Sequence, residues 1–252
     1  MILKIMLTLT LLSGFVLAND LELKKIFEKY SLDGTLVISS LNNKINYSYN
    51  DTRAHKRFSP ASTFKIPHTL IALNENIVNS QDDIIKWDNV KRAYKVWNQD
   101  QTLKSAFLVS CVWCYQKFTT HLSKEKYVEY LKRFNYGNAT IGSNISEFWL
   151  DGSLKISAYE QIEFLKKLYT NRLFTNEKST LMLKNILVEE ENEHYILRAK
   201  SGWSGEIGWY VGYITTKTEN YFFAMNGNIK KEQLHLRKEM VLNALKVKEI
   251  IQ

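Results

Sequence analysis

Strand-like segments stand at both ends of this chain, and helical periodicity fills the long stretch between them. That arrangement leaves few ways to close a core. After a short amphipathic helix over 21–30, Gly34-Thr35-Leu36-Val37-Ile38-Ser39 and Ile45-Asn46-Tyr47-Ser48-Tyr49 read as two strands around an Asn-Asn turn. Strand character returns only at 195–199, 208–215 and 221–226. From Ser62 to about Leu187, apolar residues recur at helical spacing, over 71–78, 103–109, 127–134, 158–169 and 181–187. A final helix is expected over about 232–250. The pattern predicts an α/β chain of the α+β type. Its central antiparallel sheet is built from N- and C-terminal strands, helices flank it, and a helical insertion covers about 62–187. No Pro/Gly-rich linker divides it, so residues 19–252 are expected to form a single domain. Only Pro60 and Pro67 occur, and Pro67 predicts an irregular first turn for the helix it enters.

Residues 1–18 read as a secretory leader, with Lys4 near the start, an apolar run over 5–12, and Val16-Leu17-Ala18 at the cut. The run is too short to span a bilayer comfortably, so the mature chain is expected to be exported, with no stable membrane span. The net charge is +8, but lysines are interleaved with glutamates along the helices. This describes a solvated basic surface rather than a nucleic-acid groove, and it favours anionic small molecules. Cys111 and Cys114 are the only cysteines. Cys-Val-Trp-Cys could form a short-loop disulfide or a redox motif, but no second redox feature accompanies it, and two packed thiols are the favoured reading. His55, His68, His121, His194 and His235 show no metal spacing, and no metal is expected.

Ser62-Thr63-Phe64-Lys65 lies in an apolar stretch, and residues three apart share one face of a helix turn. A hydroxyl becomes a useful nucleophile when a neighbour removes its proton, and a lysine can do so once its surroundings strip its charge. Ordinary composition yields about one such tetrad in a chain of this size. A second, Ser123-Lys124-Glu125-Lys126, is flanked by charges and reads as a helix start with a solvated lysine.

Four further segments change the odds. Ser110-Cys111-Val112 ends a helical run, Tyr136-Gly137-Asn138 is a turn tripeptide, and Phe148-Trp149-Leu150 lies in a loop. Lys200-Ser201-Gly202-Trp203 sits at a strand edge and leads to Gly208-Trp209-Tyr210-Val211-Gly212. Singly, each has a bland reading: a turn, a core tryptophan, a solvated strand end. In this order, with the opening tetrad and Leu236-Arg237-Lys238, they resemble the class D serine β-lactamases, the oxacillinase family of penicillin-recognising enzymes. The likeness spans essentially the whole mature chain. Lys-Ser-Gly replaces the commoner Lys-Thr-Gly and keeps the hydroxyl.

The resemblance implies a β-lactamase/transpeptidase-like fold in the periplasm, acting on small-molecule β-lactams. It implies Ser62 as nucleophile and Lys65, N-carboxylated by carbon dioxide or bicarbonate, as general base, with no other cofactor. It further implies that Trp149 holds the carbamate and that Ser110 relays a proton in the field of Lys200. Ser201, Gly202, Trp203 and Arg237 would bind substrate, with the carboxylate at Ser201 and Arg237. The backbone N–H groups of Ser62 and Trp203 would form the oxyanion hole. Val112, Tyr136, Gly137 and Asn138 support the site. Loops over 80–101 and 202–207 are expected to shape its mouth. The alternative is a sensor or transpeptidase-type domain that acylates and barely turns over. Monomer and homodimer both remain open.

Overall fold

The computed structural model describes residues 20–252, so the leader reading for residues 1–18 lies outside the described residues. Helix α1 (Leu21–Lys29) starts on the Asp20 side chain, which accepts from the Glu22 and Leu23 amides. Strands β1 (Gly34–Ser40) and β2 (Asn46–Tyr49) follow as the expected hairpin, then a short helix α2 (Asp51–His55). The 3-10 turn Ala61–Phe64 leads into α3 (Lys65–Asn74), which is the irregular start anticipated from Pro67. Beyond it lie β3 (Ile84–Ile85), β4 (Gln101–Thr102), α4 (Leu103–Leu108), α5 (Val112–Phe118) and α6 (Lys124–Phe134). Next come α7 (Ala158–Tyr169) and α8 (Glu177–Ile186). The chain returns through β5 (Val188–Glu191), β6 (Tyr195–Ser204), β7 (Ile207–Thr216) and β8 (Asn220–Asn228), and closes with α9 (Leu236–Val247).

One antiparallel sheet runs in the order β2-β1-β8-β7-β6-β5, so first and last strands pair at β1–β8. Side-chain alternation divides its faces. Leu36, Ile38, Phe223, Met225 and Ile214 pack with α1 and α9. Val37, Phe222, Ala224, Val211 and Tyr213 face the helical insertion. Helix α3 is buried from Lys65 to Leu73, as a helix at the centre of its layer must be. Helix α7 is anchored by a capping box between Ser157 and Glu160. Among the described residues no helix is long and apolar enough to cross a membrane.

Two readings need correcting. Strand β6 continues to Ser204, so 202–207 is the end of a hairpin and its tight turn rather than a loop. The ladder persists because Gly202 pairs with Trp209 and Trp203 with Gly208. The cysteines are not packed thiols. Cys111 and Cys114 are joined in a disulfide, with Cα atoms 5.5 Å apart, within reach because the first turn of α5 brings them together.

Candidate active site

Ser62 sits in the 3-10 turn, and that turn is held from three sides. The Trp149 carbonyl accepts from the Ala61 amide at 3.0 Å and from Ser59 Oγ at 2.8 Å. Trp209 Nε1 donates to the Ser59 carbonyl at 2.9 Å. Thr63 Oγ1 donates to the Pro60 carbonyl and accepts from buried Gln161 Nε2 at 2.9 Å. Ala61 has φ +49°, left-handed backbone that an alanine adopts at a cost of about 1–2 kcal/mol. Strand β6 lies directly against the turn. A Cβ on Gly202 would stand 2.9 Å from the Pro60 carbonyl oxygen and 3.2 Å from the Ser62 amide nitrogen, so only glycine permits that approach.

Lys65 is 1% exposed, and its Nζ lies 3.4 Å from Ser62 Oγ, long for a hydrogen bond. The amine sits 4.8 Å from the centre of the buried Tyr115 ring. Among the described residues no carboxylate comes within ion-pair distance of it. Burial, and secondly the charge of Lys200, hold its pKa well below the usual lysine range. Leaving a buried ammonium unpaired would cost several kcal/mol, which decides for the neutral amine. Phe64 stacks on Trp149 at 5.7 Å, and Val112 and Leu150 line the cleft beside them. No side chain or carbonyl among the described residues accepts the Trp149 indole N–H.

His68 lies one turn beyond Lys65. Its Nε2 meets Tyr127 Oη at 2.7 Å, its Nδ1 has no partner, and burial and then Lys65 push its pKa down to about 3. The imidazole is therefore neutral near pH 7 and places no charge beside Lys65. His68, Tyr115 and Gln161 belong to the site's support and escaped the sequence reading. The i, i+3 spacing of Lys65 and His68 is the one signal that could have flagged them.

The opposite wall is cationic. Lys200 Nζ donates to Ser110 Oγ at 2.5 Å, and burial, then Arg237, lower its pKa to about 7. Ser110 has φ +55°, between α4 and α5, and the disulfide begins at the next residue. Arg237, on the first turn of α9, is tied by Nε to the Leu234 carbonyl and by one Nη to the Gly202 carbonyl, both at 2.7 Å. It does not pair with Glu239, which accepts instead from Tyr30 Oη. A cleft of about 370 Å³ brings Ser62, Ser110, Val112, Ser201, Gly202, Trp203 and Arg237 together. Tyr94, Val96 and Trp97 from one predicted mouth segment line it, with Ser204 and Gly205 from the other. Tyr136, Gly137 and Asn138 stand behind it. Gly137 takes φ +58°, and the Asn138 side chain bonds the Ser153 carbonyl and the Lys155 amide, pinning the loop that carries Trp149.

A family model described as the penicillin binding protein transpeptidase domain matches residues 34–246. The chain is 42% identical over 217 residues to Beta-lactamase OXA-20 of Pseudomonas aeruginosa, covering 84% of this chain and 82% of that one. It is 39% identical over 230 residues to Beta-lactamase OXA-48 of Klebsiella pneumoniae, covering 89% and 87%. The solved class D beta-lactamase from Sebaldella termitidis superposes with a TM-score of 0.88 at 40% identity, over 91% of this chain and 96% of that one. FUS-1 (OXA-85), from Fusobacterium nucleatum subsp. polymorphum, gives 0.90 at 38% identity, over 93% and 100%.

Proposed function

The chain belongs to the class D serine β-lactamases, and from that premise we propose that it hydrolyses β-lactams through an acyl-enzyme on Ser62, with N-carboxylated Lys65 as base in both half-reactions. The observation that carries this reading is the state of Lys65: buried, beside Ser62 Oγ, and without an acid partner among the described residues. Only a neutral amine adds carbon dioxide, releasing one proton as the carbamate forms, and burial keeps this amine neutral. The added carboxyl group supplies an anionic oxygen that accepts a proton. The Trp149 indole N–H is the proposed donor that holds it, within the apolar wall of Phe64, Val112 and Leu150.

Ser62 Oγ, relieved of its proton, attacks the lactam carbonyl. The Ser62 and Trp203 backbone N–H groups are the proposed oxyanion hole, each donor typically worth roughly 3–4 kcal/mol of barrier. Ser110, bonded to Lys200, gives its proton to the lactam nitrogen as the C–N bond breaks. The free edge of the Arg237 guanidinium and the Ser201 hydroxyl receive the substrate carboxylate, for which a planar fork is well matched. The ester on Ser62 is then hydrolysed. The protein is proposed to work after export, in the periplasm.

The test is hydrolysis of a chromogenic cephalosporin by the purified protein, before and after carbon dioxide is stripped at low pH. Stripping should lower activity roughly tenfold or more, and bicarbonate should restore it. A response flat to both treatments would refute the carbamate, and a lasting acyl adduct without turnover would favour the sensor alternative.

A further inference from the structure

A second cavity, of about 400 Å³, adjoins the catalytic cleft and shares Ser201, Leu234 and Arg237 with it as a common wall. Its inner surface is apolar, with buried Phe107, Leu187, Ala199 and Tyr210. Exposed Leu108 stands among its lining residues. Its charges are uneven: Lys200, Arg237 and Lys238 line it against the single acid Glu189. Glu189 is already engaged, accepting from Lys238 Nζ at 2.8 Å and from Tyr210 Oη at 2.7 Å. Lys200 and Arg237 therefore stand in a partly desolvated wall where, among the described residues, no acid forms an ion pair with either, although the Glu189 charge acts on Lys200.

We infer that this cavity is a subsite for the substituent next to the carboxylate-bearing carbon of the substrate, and that it selects flat, uncharged or anionic substituents over cationic ones. The inference rests on the proposed reading of Ser201 and Arg237 as the carboxylate site. A carboxylate held at that wall puts the adjacent ring atom beside the wall as well. In a cephalosporin that atom carries the C3 substituent, and the cleft side is filled by the lactam itself. The room left for the substituent lies across Ser201 and Arg237, in the second cavity. Phe107, Leu187 and Tyr210 offer apolar surface to a planar ring. Lys200 and Arg237 repel a cation there, in surroundings where charge is poorly screened.

Three cephalosporins with one acylamino side chain and differing only at C3 test this: methyl, neutral heteroarylthiomethyl and pyridiniomethyl. The readout is kcat/KM, which reports steps through acylation and is blind to later loss of the C3 group. The heteroaryl compound should exceed the pyridinio compound by roughly tenfold. Lys238→Gln, at a half-exposed position that should not disturb folding, leaves Glu189 uncompensated and should cut that ratio several-fold. A ratio within twofold of unity, unmoved by Lys238→Gln, overturns the subsite. Penicillins carry only methyl groups at the corresponding place and report the carboxylate site alone. If Arg237→Ala leaves their KM unmoved, the carboxylate reading itself fails. If their KM rises while the C3 ratios stay flat, only the subsite fails.

Discussion

Two Ser-x-x-Lys tetrads in this molecule share a spacing and have opposite chemistry. At Ser123 the hydroxyl caps α6, accepting from the Lys126 amide at 3.2 Å. The Lys126 side chain turns outward, half-exposed, to Glu75 and Glu129 at 3.5 Å each. Those two acids, Glu75 foremost, raise its pKa. At Ser62 the side chain caps no helix among the described residues, and its hydrogen-bond partner is the Lys65 amine itself. Among the described residues no acid answers that amine, and burial lowers its pKa. Three-residue spacing supplies reach between the two groups; only the surroundings decide whether the lysine is a cation or a base.

The largest expected effect separates the two lysines. Lys65→Gln should reduce kcat/KM by roughly 10³-fold, within the usual range for loss of a general base. Lys126→Gln should leave kcat/KM within about twofold, since it lies outside the cleft. Thermal melting should survive Lys65→Gln, because neither the neutral amine nor its carbamate pairs with an acid or base that the substitution would strand as a buried charge. Comparable losses of activity in the two variants would break the comparison.

Lys200 offers an intermediate case, buried like Lys65 yet bonded to a hydroxyl, with a pKa of about 7. If its ammonium supports Ser110, kcat/KM should fall above pH 7, approaching roughly tenfold per unit. Stability should move the other way. Its folded pKa lies below the unfolded value of about 10.4, so between pH 7 and 10 the unfolded chain binds more protons at this site. The contribution of Lys200, read as the difference from Lys200→Gln in denaturant titrations, should therefore rise with pH across that window. Activity and stability falling together would show that the alkaline limb is unfolding rather than titration.

The contrast also marks what the sequence made legible. The long strands, the hairpins and α7 announced themselves because period and caps agree over many residues, as Ser157 and Glu160 do. Strands β3 and β4, two residues each, are too short to show a period. Strand β5, Val188-Glu189-Glu190-Glu191, reads as a charged run, yet it pairs with β6 through a bulge. The Gly202 break was misread because a glycine needed for close approach looks like a strand end. At the site, the motif residues were visible and the groups that keep Lys65 dry were less so. Tyr115 carries no pattern of its own and His68 only its three-residue spacing from Lys65, and their roles arise from packing across α3, α5 and α6.

The smallest effect asks whether the two serines divide structural from chemical work. Ser123→Ala removes the acceptor for the Lys126 amide and should cost about 1 kcal/mol, a melting shift of roughly 2–4 °C in a chain of this size. Its kcat/KM should stay at the wild-type value. Ser62→Ala should do the reverse, abolishing turnover with no comparable loss of melting temperature, because among the described residues its hydroxyl bonds the Lys65 amine and no backbone group. Calorimetry on the two alanine variants, with a hydrolysis assay on the same samples, reads both quantities. A melting loss at Ser62 as large as that at Ser123 would mean that the nucleophile also holds its turn together, and the separation of roles would fail at the position where it matters most.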